Sequence, residues 1–187
     1  MNRREAVQYI SLLLGGTIVG GSAFLSGCKA NTSAVSMTFT DTDIPLLNEI
    51  ADTILPDTKT PGAKAAKVGQ FMTVMVNDCY EEKDQKIFHE GMGKLNDFSK
   101  KTYNDEFVKL NPQQRHDLLV KLDHEQSDYM KNKKEADQSH YFRMMKELTL
   151  LGYFTSEIGC TKARRYIETP GKFEGTIPYK KGDKAFA

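Results

Sequence analysis

The 187-residue chain has no tryptophan and only three cysteines, and its 26 Lys and Arg nearly balance its 25 Asp and Glu. That balance leaves no electrostatic case for a nucleic-acid partner. No phosphate-cradling glycine motif lies outside the N-terminal segment, so a dinucleotide or flavin fingerprint is missing. Cys-x-x-Cys-His, His-Glu-x-x-His and paired-cysteine metal spacings are missing too. His89, His116, His124 and His140 are scattered; His116 and His124, eight apart on one possible helix, are too far apart for shared ligation. Each histidine reads as a surface or capping residue. Glu157 near Ser156, and Asp123 near Glu125, have neither a nucleophile nor a pocket pattern around them. The sequence therefore assigns no catalytic, cofactor-binding or metal residue, and no stretch alternates with period two long enough to make a strand.

What is present begins at the N-terminus. Asn2-Arg3-Arg4 is basic, and Ile10 to Leu25 is apolar but interrupted by Gly15, Gly16, Gly20 and Gly21. This stretch falls short of the roughly 20 residues a membrane-crossing helix needs, and reads as a signal-peptide core. Arg3 and Arg4 are an address for the twin-arginine export pathway. Leu25-Ser26-Gly27-Cys28 resembles the lipobox of bacterial lipoproteins, in which small residues admit the peptidase and the Cys28 thiol accepts the lipid. A triacylated N-terminus would hold a small domain at a membrane. The expected location is the periplasmic side of a bacterial membrane. Lipidation of Cys28 leaves Cys79 and Cys160, which in an oxidising compartment form either a disulfide or two separate buried thiols. A bridge would close a loop of roughly 80 residues, a stabilisation of about 4 kcal/mol in the chain-entropy picture.

The chain divides into a signal peptide over 1–27, a polar tether over 28–38, a helical domain over 39–169 and a tail over 170–187. Within the domain, Thr40 and Asp43 start a helix that presents Ile44, Leu47, Ile50 and Ile54 and stops at Leu55-Pro56. Pro61-Gly62 marks a turn. A second helix spans about 65–82 and buries Val68, Phe71, Met72, Met75 and Cys79, and a third covers about 84–102. Gly91 and Gly93 in the third helix either weaken it or mark a close crossing. Asn111-Pro112-Gln113-Gln114 starts a fourth helix, expected to end before Asp128. A last helix from about Ser139 to Phe154 buries Phe142, Met145, Leu148 and Leu151. The fold class is all-α. Beyond Pro170 the chain is broken by Gly171, Gly175, Pro178 and Gly182, yet holds Phe173, Ile177, Tyr179 and Phe186. It needs a surface to cover it, either its own domain or a partner.

Residues 50–69, from Ile-Ala-Asp-Thr-Ile-Leu-Pro-Asp to Lys-Val-Gly, resemble the first block of the gluconate 2-dehydrogenase subunit 3 family. Phe107-Val108-Lys109-Leu110-Asn111 with Gln114-Arg115 looks like its middle block. Leu148-Thr149, Gly152-Tyr153-Phe154, Ser156-Glu157, Gly159, Tyr166 and Pro170-Gly171 resemble its last. The resemblance implies a small subunit of a membrane-associated dehydrogenase acting on sugars, sugar acids or polyols. The large partner would resemble glucose–methanol–choline oxidoreductases and hold FAD, with a c-type cytochrome (haem c) as a third subunit. The small subunit would aid folding of the flavoprotein and its twin-arginine export. A lipobox is not general in that family, so Cys28 would make this subunit the membrane anchor as well. The last block supplies partner-binding candidates Tyr153, Glu157, Tyr166, Pro170 and Gly171, and the tail adds Phe173 and Tyr179. For Tyr153 and Tyr166 the alternative is packing of the last helix, and for Pro61 and Gly62 a plain turn. A free-standing envelope lipoprotein that binds a small ligand or envelope component is the competing reading of the whole chain; an enzyme in its own right is a third.

Overall fold

The computed structural model describes residues 37–186 apart from Ala136 and Pro170. Arg3, Arg4, Cys28 and nearly all of the expected tether lie outside the described residues. Five α-helices make up the body: α1 Asp43–Ile54, α2 Val68–Cys79, α3 Glu82–Tyr103, α4 Pro112–Asn132 and α5 Tyr141–Thr155. A 3₁₀ turn, Phe107–Lys109, separates α3 from α4, and a π-helical turn, Gly159–Ala163, follows α5. The described residues contain no strand beyond an isolated bridge between Arg165 and Phe186. The fold is all-α.

Local chemistry sets the helix starts. At α1, Asp43 Oδ2 accepts from both the backbone N–H and the hydroxyl of Thr40, each at 2.8 Å. At α4 the box is complete: Asn111 Oδ1 accepts from the Gln114 N–H at 2.9 Å, and Gln114 Oε1 from the Asn111 N–H at 3.1 Å. A side-chain cap of the α4 kind is worth about 1 kcal/mol. His140 caps α5, its Nδ1 accepting from the Phe142 N–H at 3.2 Å.

Helix α5 is the centre of the body and packs against each of the other four helices. It therefore buries more than one stripe: Tyr141, Phe142, Met144, Met145, Leu148, Thr149, Gly152 and Tyr153. These meet Leu47 and Ile50 of α1, Met72 and Val76 of α2, Phe88 and Leu95 of α3, and Leu118 and Leu122 of α4 in one core. Each such side chain contributes about 1.5–3 kcal/mol on burial. Gly91 marks a close crossing of α3 on α5, because a Cβ there would stand 2.4 Å from the Cβ of Tyr141.

Several sequence expectations need correction. Helix α4 runs on through Asn132 rather than ending before Asp128. Its last turns are held locally, by Lys131 on Asp128 at 3.1 Å and Asn132 on the Asp128 carbonyl at 2.8 Å. Leu151 is exposed, because the core-facing side of α5 passes through 148, 149, 152 and 153. Cys79 is exposed at the end of α2, and the Cys79–Cys160 bridge does not form. Each thiol has turned to its own surroundings: Cys79 Sγ lies 4.0 Å from Met75 Sδ, and Cys160 Sγ donates to the Phe154 carbonyl at 3.3 Å.

Candidate functional site

Three sequence-distant segments interlock at one end of α1. The loop after α1 is wound tightly: the Ala63 N–H donates to the Leu55 carbonyl at 2.9 Å, and the Gly62 N–H to Asp57 Oδ1. Gly62 is buried, and a Cβ on it would lie 2.7 Å from backbone atoms of Asp57, Leu55 and Pro56, so only glycine closes this turn. Pro61 and Gly62 thus serve as a turn. From α5 the Tyr153 hydroxyl donates to the Pro61 carbonyl at 2.7 Å.

Glu49 of α1 is the second tie. Its side chain is only 15% exposed and binds Arg115 of α4 and Lys64 of the loop. Arg115 also donates from Nε to the Phe107 carbonyl at 3.2 Å and from a terminal nitrogen to the Val108 carbonyl, while its guanidinium lies 5.9 Å from the Phe107 ring centre. One arginine thereby holds the 3₁₀ turn, α4 and α1 together. Asp52, one turn along α1, has its carboxyl raised above the ordinary range by partial burial and then by the charges of Asp57 and Glu49.

The partner-binding candidates separate into two groups. Tyr153 is 4% exposed and belongs to the core and the Pro61 tie, which corrects its assignment as a partner contact. Glu157 and Tyr166 are exposed, Gly171 adopts a left-handed backbone at φ 69°, and Phe173 and Tyr179 are 94% and 76% exposed. Pro170 lies outside the described residues. The segment that carries them has its two ends fastened together. The Arg165 N–H donates to the Ala185 carbonyl at 2.8 Å, Arg165 Nε to the Lys184 carbonyl at 2.9 Å, and the guanidinium sits 4.2 Å from the Phe186 ring centre. The result is a closed loop from 165 to 186 with an open concavity of about 710 Å³, lined by Ile167, Gly171, Phe173, Ile177 and Phe186 among others.

The histidines do not converge. His116 and His124 are exposed and His140 is a cap. His89 is buried, its ring centre 4.2 Å from that of Phe39 and its Nε2 without a hydrogen-bond partner, contrary to a surface or capping role. The signal for this was its place one turn before Met92 on the buried side of α3. Burial holds the His89 imidazole below its ordinary range, against an opposing pull from Asp43. Among the described residues no group of three metal-ligating side chains occurs, and no helix is long and apolar enough to cross a membrane.

The described residues thus form a helical body braced through non-local ties, with an aromatic loop left open. Residues 41–171 match the family model described as Gluconate 2-dehydrogenase subunit 3, and the chain belongs to that family. Membership implies a subunit of a multi-subunit dehydrogenase complex. The three interlocked segments are the blocks through which the sequence resembles the family. The chain matches no curated protein and no solved structure.

Proposed function

We propose that this chain is the non-catalytic small subunit of an exported, FAD-dependent dehydrogenase acting on a sugar, sugar acid or glycoside. Its large partner is a glucose–methanol–choline-type flavoprotein that holds the FAD, and a c-type cytochrome accepts the electrons. The chain aids folding of the flavoprotein, carries it through the twin-arginine pathway by Arg3 and Arg4, and tethers it to the membrane through lipid on Cys28. The observation that carries this reading is the family match joined to an exposed aromatic surface. Phe173 and Tyr179 are 94% and 76% exposed, whereas most other aromatics among the described residues are at least partly covered. Exposed clusters of this kind mark interaction surfaces, where aromatic side chains supply most of the binding energy.

The test is expression of the flavoprotein with and without this chain, scoring flavin fluorescence and dehydrogenase activity in the periplasmic and membrane fractions. Alone, the flavoprotein should aggregate or remain in the cytoplasm. Full and correctly exported activity without the chain would overturn the reading. Replacing Cys28 with Ala should move the activity from the membrane to the soluble periplasmic fraction.

A further inference from the structure

The closed loop differs from the body in charge as well as in exposure. Residues 165–186 hold five Lys and Arg against three Asp and Glu, whereas residues 37–164 hold 21 acidic against 18 basic residues. The family match ends at residue 171, so Phe173, Ile177, Tyr179 and the basic run Lys180-Lys181 lie beyond the part shared with the family. The loop is also formed in advance. Arg165 fastens its neck through two backbone carbonyls and the Phe186 ring, and a turn just before the neck is closed by the Lys180 N–H donating to Asp183 Oδ2 at 2.9 Å. Ordering of the backbone, a major cost of docking a flexible tail, is met before the encounter.

We infer that the loop closed by Arg165 and Phe186 is a specificity clamp for the large subunit, taking an apolar side chain of that subunit into its concavity while its lysines face an acidic rim. This rests on the small-subunit reading and adds to it the chemistry of the contact and the segment that selects the partner. Three observations argue for it. The concavity is lined by Ile167, Phe173, Ile177 and Phe186 beside Thr169 and the Lys172–Glu174 ion pair, and is large enough for one or two side chains. The excess positive charge is confined to the segment that bears it, which calls for a negative counterpart. And the greater part of the segment, from Lys172 onward, lies outside the shared region, where features that distinguish one partner from another belong.

The test uses the full-length lipidated chain in detergent against an immobilised glucose–methanol–choline-type flavoprotein from the same organism, with binding rates measured at low and high salt. Phe173→Ala with Tyr179→Ala should speed dissociation by about tenfold or more, since exposed aromatic anchors govern residence time. Lys180→Glu with Lys181→Glu should slow association and flatten its salt dependence, as for rim charges that steer encounter. Lys86→Glu with Lys121→Glu makes the same charge change on the body and should leave both rates near wild type. Helicity by circular dichroism should be unchanged in all three. Wild-type rates in both loop variants would overturn the clamp. So would loop variants that keep the flavoprotein but lose binding to phosphatidylglycerol–phosphatidylcholine vesicles, which would make the loop a lipid contact. A wild-type chain that fails to bind the flavoprotein at all would bring down the small-subunit reading, and the clamp with it.

Discussion

The helical body and the closed loop obey opposite rules within one chain. In the body, Phe88, Phe107 and Phe142 are buried, and contacts join residues far apart in sequence, as between Tyr153 and Pro61 or Arg115 and Glu49. In the loop, Phe173 and Tyr179 face water and the ties run between its own two ends. A body built this way resists change in its own stability. A loop built this way contributes little to that stability and is free to differ. The contrast teaches that the same residue type, phenylalanine, holds this protein together at position 88 and is held out to something else at position 173.

The comparison breaks most sharply at Phe88. Phe88→Ala should destabilise the domain by about 3–5 kcal/mol in urea unfolding, because it removes a fully buried ring and leaves a cavity. A loss under 1 kcal/mol would show that the α3 contact is loose. Next comes Arg115→Ala, which strands the largely buried Glu49 carboxylate and two carbonyls; about 2–3 kcal/mol is expected, softened by Lys64, which still faces Glu49. Tyr153→Phe deletes only the hydroxyl on the Pro61 carbonyl and should cost about 1 kcal/mol by thermal unfolding, with the fold intact.

Between pH 7.5 and pH 5, acid should act chiefly through two histidines of the body. His89 is held below its ordinary range by burial. The same is true of His140, where burial again outweighs the Glu125 carboxylate. A histidine whose folded value is depressed takes up its proton more readily when unfolded. Stability should therefore be intact above about pH 6.5 and decline as pH falls through and below that value. His140 adds a geometric reason, since a protonated Nδ1 cannot accept from the Phe142 N–H. Urea midpoints at pH 7.5 and pH 5 measure the decline, and His89→Phe should reduce it. The smallest effect belongs to the loop: Phe173→Ala should shift stability by no more than about 0.5 kcal/mol. A larger loss would mean the loop is part of the body after all.

Legibility in the sequence followed the range of the interaction. The start of α4 was readable because Asn111, Pro112 and Gln114 act within one turn. Its end was not, since the stretch from Asp128 to Gln138 is mostly polar and its helical part is held by short-range bonds that leave no apolar period. The seat of Cys79 and Leu151 outside the core depends on where neighbouring helices lie, and periodicity alone misplaces residues at the margin of a stripe. The Tyr153–Pro61 bond spans 92 positions. No local pattern announces it, although both residues fall in the blocks that resemble the family. The exposure of the loop aromatics was legible as a segment in need of a surface, while the closing of its neck by Arg165 was not.

That neck has a practical consequence for anyone who handles the protein. Phe186 is fixed beside Arg165, so a group inserted into the backbone next to Phe186 would emerge at the root of the loop. A bulky label there would crowd the concavity that Phe186 lines and pry at the neck, so a subunit that failed to join its complex would report the placing of the label.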